Sequence, residues 1–138
     1  MKGILLISHG QMAPGMMDSL SMFFGKNIPQ LDCLSLTPSM GAEEFADLLR
    51  KKIEEVDTGE GVVIFADLMG GTPFNQAALQ LRDGVDLIAG MNLAMIMEYL
   101  GTREFMDFEA ADVVEKGRAA VVDGKAILSS SDDDDDYE

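Results

Sequence analysis

Short runs of consecutive apolar residues alternate along this chain with longer segments whose apolar positions recur at helical spacing. Ile4-Leu5-Leu6-Ile7, ending in Ser8-His9-Gly10, is apolar at every position, the pattern of a strand covered on both faces of a parallel sheet. A helix is predicted from Pro14, with Met16, Met17, Leu20, Phe23 and Phe24 on its apolar side and Gly25 as its stop. Leu31 to Leu36 alternates apolar residues with Asp32, Cys33 and Ser35 and closes at Thr37-Pro38, a second strand nearer an edge. Phe45, Leu48, Leu49, Ile53 and Val56 then form a helical stripe, opposed by Glu43, Glu44, Asp47, Arg50, Lys51, Glu54 and Glu55.

Val62 to Ala66 is a third buried run. It leads through Asp67-Leu68-Met69-Gly70-Gly71-Thr72-Pro73 into a predicted helix over Phe74 to Leu81, with Thr72 as N-cap and Pro73 at the first helical position. Leu87-Ile88-Ala89 reads as a fourth strand, Leu93 to Leu100 as a helix, and Ala111 to Lys116 as a helix stopped by Gly117. Ala119 to Leu128 carries strand formers around Asp123-Gly124 and predicts a small hairpin or one bulged strand. The alternation implies one α/β domain over residues 1 to 128: an open, mostly parallel, doubly wound sheet of order two-one-three-four, helices on both faces.

Composition narrows the function more than the fold. Ten Lys and Arg stand against 25 Asp and Glu, a formal charge of −15. Residues 129 to 138 supply six of those acids and no base, leaving ten bases against 19 acids, or −9, on the rest. That stretch has no apolar face and is expected to be a mobile tail. Such a chain repels phosphate backbones, so nucleic acid is a poor partner and a basic protein face a good one. The opening apolar run is too short for a signal peptide, and Asp86, Asn92 and Glu98 interrupt the longest one, so a cytoplasmic location is expected. One His and one Cys match no metal pattern, and no metal or cofactor is predicted. Cys33, inside a predicted strand, reads as a buried, inert thiol.

Ligand sites in such sheets lie beyond the carboxyl ends of strands where the order reverses, between the loops after strands one and three. Those loops carry the sole histidine, His9, and the carboxylate Asp67 with its glycine turn. A carboxylate bonded to one imidazole nitrogen fixes the tautomer and frees the other nitrogen to attack, which makes His9 a candidate nucleophile. Gly70, Gly71 and the Thr72 hydroxyl, at a helix start, suit an anion such as a phosphoryl group. Taken singly, each has a commoner use: a loop-capping histidine, an Asx turn, a plain helix start. Their convergence on one crevice favours chemistry. Met16, Met17, Met95 and Met97 read as core filler, whereas Met12, Met69 and Met91 fall in loops around the crevice and are expected to form a pliable apolar pocket wall for protein partners.

Three segments, Ile4 to Gly10, Ala66 to Asn75 and Ile88 to Met95, resemble the mannose-type IIA domains of the bacterial phosphoenolpyruvate-dependent sugar phosphotransferase system, over roughly residues 1 to 118. The string Asp67-Leu68-Met69-Gly70-Gly71-Thr72-Pro73-Phe74-Asn75 is the most specific part. Met69 stands where a tryptophan is common, and Leu93-Ala94-Met95 replaces a commoner Ile-Pro-Met.

The resemblance implies a phosphotransferase that works as a phosphoryl carrier. His9 would accept the group on Nε2 from phospho-HPr and pass it to a separate IIB protein, which phosphorylates sugar arriving through membrane IIC and IID components. Asp67 would hold the other nitrogen and Thr72 would be a pocket hydroxyl. It also implies a homodimer, with Ala119 to Leu128 as a strand exchanged between subunits.

Three rival readings remain. The phosphoryl-transfer subunit of dihydroxyacetone kinase shares the early strand-His pattern but not the Gly-Gly-Thr-Pro-Phe-Asn string. A tetrapyrrole chelatase also places a His after its first strand, but needs further metal-handling groups. A non-enzymatic binding module needs a Ser/Thr-rich phosphate loop after strand one, which Ser8 to Pro14 does not provide.

Overall fold

The computed structural model describes residues 1–130; the acidic stretch of the C-terminus falls almost wholly outside them. Four parallel strands, β1 (Gly3–His9), β2 (Leu31–Leu36), β3 (Val62–Ala66) and β4 (Val85–Ala89), lie in the order β2-β1-β3-β4. The central pair is almost fully buried, as expected for continuous apolar runs covered on both faces.

The helices are α1 (Met12–Phe24), α2 (Ala42–Val56), α3 (Gly71–Ala78), α4 (Leu93–Thr102), α5 (Ala110–Ala119) and α6 (Gly124–Leu128). Alternating strand residues feed two cores. Ile4, Leu6, Val63 and Phe65 pack with Leu20, Met95, Ile96, Tyr99 and Val113, and Met16, Met17 and Met97 fill in around them. Leu5, Ile7, Ile64 and Ala66 pack with Phe45, Leu49 and Ile53 of α2 and Ala77 of α3. Each fully buried aliphatic side chain contributes roughly 1.5–3 kcal/mol of transfer free energy. Beneath the sheet, buried Arg103 donates to the carbonyls of Lys2, Pro29 and Gln30, tying α4 to the starts of the first two strands.

Several boundaries differ from the sequence expectation, each for a local reason. Gly117 does not stop its helix but sits inside α5, because a Cβ there would lie 2.2 Å from Met95 Cε and 3.2 Å from Met95 Cβ. It lets α5 lie close against α4. The third helix starts earlier and ends at Ala78, and Thr72 is not its N-cap: Gly70 is, with φ 90°, and Gly71 keeps φ 80°. The chain thus turns into α3 through a left-handed glycine pair, and Thr72 falls within the first turn.

The hairpin or strand expected over Ala119 to Leu128 is absent. Asp123 accepts a hydrogen bond from the Ala126 N–H (3.1 Å) and so starts the short α6 instead. Asp-Gly there is a capping pair, not a hairpin turn. Cys33 is half-buried beside the first core, and burial, reinforced by Asp32 and opposed by Lys52, pushes its thiol up.

Candidate functional site

His9 is the last residue of β1, and Asp67 follows the last residue of its neighbour β3. The strand order that brings these ends together also brings the two side chains together: Asp67 Oδ2 lies 2.9 Å from His9 Nδ1. The same oxygen accepts the His9 backbone N–H at 2.9 Å, and Asp67 Oδ1 accepts the Leu68 N–H at 3.0 Å. The Asp67 N–H itself donates to the Ile7 carbonyl (3.1 Å), locking the loop to β1. Burial of this carboxyl raises its pKa, but the hydrogen bonds from the His9 backbone, the His9 ring and the Leu68 N–H outweigh that and leave it below the ordinary value of 3.8. Asp67 is therefore ionised near neutrality, and a carboxylate only accepts. Nδ1 must therefore carry a proton, and the tautomer of the neutral ring that Asp67 selects is the one with its lone pair on Nε2.

That second nitrogen faces the start of α3. A Cβ built on Gly71 would lie 2.9 Å from His9 Cε1 and 3.0 Å from Nε2, so only glycine lets the backbone pass this close to the ring. The first amides of α3 have no partner within the helix, and Pro73 has none to offer, leaving an anion-favouring end beside Nε2. Thr72 is half-buried there, and its hydroxyl makes no hydrogen bond among the described residues. The His9 side chain is 46% exposed and that of Asp67 8%, so the ring is open and the carboxylate that holds it is sheltered. Cavities of about 310 and 370 Å³ lie elsewhere, one around Lys2, Tyr99 and Arg103 and one between Glu98, Asp112 and Lys116.

The three methionines expected around the crevice differ in exposure. Met12 is 44% exposed and Met69 78%, and both flank His9 in its own and its neighbouring loop. Met91 is 3% exposed and belongs to the first core; its N–H bonds the Ala66 carbonyl (3.0 Å), which draws the residue under the sheet's edge. It is not a pocket wall. Leu68, in the loop after Asp67, is 50% exposed, and no periodicity announces that exposure.

Ser8, which no periodic pattern marks as functional, is wholly buried, and its hydroxyl bonds the backbone on the far side of His9. A serine at a strand end, just before a helix without a capping side chain, was the available signal. Among the described residues no group of three or more His, Cys, Asp or Glu side chains is placed to hold a metal ion.

The family model described as "PTS system fructose IIA component" matches residues 3–116, which include both loops and all four strands. The chain belongs to this IIA family. It is 29% identical over 123 residues to a mannose-specific EIIAB component of Escherichia coli (strain K12), an alignment covering 86% of this chain and 38% of that protein. The IIA chain thus spans about two-fifths of that relative's length. It is 32% identical over 96 residues to a sorbose-specific EIIA component of Klebsiella pneumoniae, covering 68% and 69% of the two chains.

Among solved structures it superposes on a IIA protein associated with the fucose utilization operon of Streptococcus pneumoniae, with a TM-score of 0.84 and 26% identity over 93% of this chain and 96% of that one. These matches do not favour the kinase-subunit, chelatase or binding-module readings. No helix among the described residues of the IIA chain is long and apolar enough to cross a membrane.

Proposed function

We propose that this IIA chain is a phosphoryl carrier of the sugar phosphotransferase system and that His9 Nε2 bears the group. The observation that carries the reading is the Nδ1–Asp67 contact at 2.9 Å on a half-exposed ring whose other nitrogen stands against Gly71. In the first step the Nε2 lone pair attacks the phosphorus of a phosphohistidine on the donor protein HPr. The new P–N bond forms as the donor's P–N bond breaks, and the bonding pair returns to the donor imidazole. The Nδ1 proton stays in place throughout, and Asp67 neutralises the positive charge that the ring gains. Positioning in line and steadying of the phosphoryl oxygens by the α3 amides and the Thr72 hydroxyl supply the catalysis, with no cofactor.

The second step is the same exchange run onward, to a histidine of a IIB partner that serves sugar arriving through membrane IIC and IID components. This places the chain in the cytoplasm at the periphery of a transporter. The exposed side chains of Met12, Leu68 and Met69 form an apolar rim suited to two successive protein partners, since flexible side chains repack against different faces. A homodimer is part of the proposal. Exposed Val121, Val122 and Leu128 after α5 support it, as surface a second copy would cover.

Incubation with phosphoenolpyruvate, the first enzyme of the system and HPr tests the reading. The full chain is expected to gain the mass of one phosphoryl group and His9→Ala to gain none. Unchanged wild-type mass, where a control IIA is phosphorylated, contradicts it.

A further inference from the structure

The His9 ring is held from one side by Asp67, but the backbone that carries it must also be fixed from the other. After His9 the chain leaves β1, turns through Gly10 and Gln11 and enters α1 at Met12. Gln11, the residue at the N-cap, supplies no side-chain hydrogen bond to that helix. The Ser8 hydroxyl does so from the strand: Oγ accepts the Ala13 N–H at 2.8 Å and donates to the Gly10 carbonyl at 3.1 Å. These two bonds reach across His9 and tie residues 10 and 13 to the end of β1. Ser8 is 0% exposed, so no water can replace either bond without rearrangement.

We infer that Ser8 is a positioning residue for His9: its hydroxyl fixes the turn after the histidine, and with it the direction in which the imidazole meets Asp67 and presents Nε2 to Gly71. The kinetic consequence rests on the phosphoryl-carrier reading; the geometric one does not. The neighbouring strand supplies a matched comparison. Ser35 pairs with Ser8 in the parallel register, so both side chains leave the same face of the sheet. The Ser35 hydroxyl is buried too, but makes no hydrogen bond among the described residues. Two serines at one level of the sheet thus differ in that only one of them touches the loop that carries His9.

The chain has a single histidine, so the ring ¹⁵N signals of the unphosphorylated full chain report His9 alone. The wild type is expected to show one fixed tautomer, protonated at Nδ1. Ser8→Ala, and Ser8→Cys as a volume-matched second variant, are expected to move the ring signals toward a mixture of tautomers. Phosphorylation by phospho-HPr should slow about 10- to 100-fold in both, the scale of a misplaced reacting group. Ser8→Thr, which keeps the hydroxyl, should restore both readouts, and Ser35→Ala should change neither.

Wild-type ring signals in both the Ala and Cys variants would overturn the inference, even if those variants melt at a lower temperature, because a purely structural serine lowers stability without freeing the imidazole. A Thr variant as disturbed as the alanine counts against it as well. If no variant or wild-type chain is phosphorylated while the ring signals behave as expected, it is the carrier reading that fails and the positioning role that stands.

Discussion

At His9 one carboxylate holds Nδ1 and leaves Nε2 as the outward ring nitrogen. Replacing Asp67 by Asn keeps the shape but removes the charge that holds the Nδ1 proton, and transfer to His9 should fall about 10- to 100-fold, the usual loss when an imidazole loses its orienting partner. Rapid-quench measurement of phosphoryl transfer checks this; an unchanged rate would make Asp67 a turn residue only. The same group leaves a mark on stability. Its pKa is lower in the folded chain than the ordinary 3.8, so its stabilisation is complete above that value and is lost as pH falls through the lower folded one. Acid titration of Asp67→Asn should therefore show a shallower loss of stability below about pH 4 than the wild type.

Gly71 gives a second test at this scale. An alanine there must adopt φ 80° and set its methyl 2.9 Å from His9 Cε1. The backbone term alone costs about 1–2 kcal/mol. Displacement of the ring should cut phosphorylation by on the order of 100-fold, beyond what the stability loss explains. Denaturant melts beside transfer rates separate the two effects.

Among the elements, the β4–α4 connection links the site's neighbourhood to the C-terminal part of the chain. Asn92 caps α4 by accepting the Met95 N–H (2.9 Å) and donates its amide to the Gly117 carbonyl of α5 (2.9 Å). Asn92→Ala should cost about 1–3 kcal/mol, a lost cap plus a lost interhelical bond, read as a shift of the urea midpoint at unchanged slope.

This is also the scale at which the sequence speaks most and least clearly. The stripe of Phe45, Leu49, Ile53 and Val56 announces α2, and continuous apolar runs announce β1 and β3, because burial on a fixed face leaves a period. Gly117 misleads, since a glycine needed for close approach to Met95 looks the same in sequence as one that ends a helix. Asp123-Gly124 misleads likewise: the pair serves hairpins and helix starts, and only the Ala126 N–H decides between them. Thr72 was displaced as N-cap by two glycines whose positive φ no hydrophobic pattern records. The pairing of His9 with Asp67 is legible because the strand order two-one-three-four makes strands one and three neighbours, with His9 ending the one and Asp67 following the other. The burial of Met91 and the exposure of Leu68 were not, because loop residues carry no period.

For the whole molecule, parallel strands in the order β2-β1-β3-β4 put the ends of β1 and β3 side by side, and that is where the proposed chemistry sits. The rim proposed around it is apolar, while the chain carries a net charge of −15, of which residues 129 to 138 supply −6 and the rest −9. Under the proposed carrier role, long-range attraction would gather basic partner faces and the methionine and leucine rim would seat them, letting one small surface serve a donor and an acceptor in turn.

The account stands or falls on which nitrogen carries the phosphorus. Nitrogen-15 and phosphorus-31 spectra of the phosphorylated chain, with its one histidine, read this directly. The phosphorus is expected on Nε2, with the Nδ1 proton retained and still bonded to Asp67. Phosphorus on Nδ1, or on any residue other than His9, would contradict it.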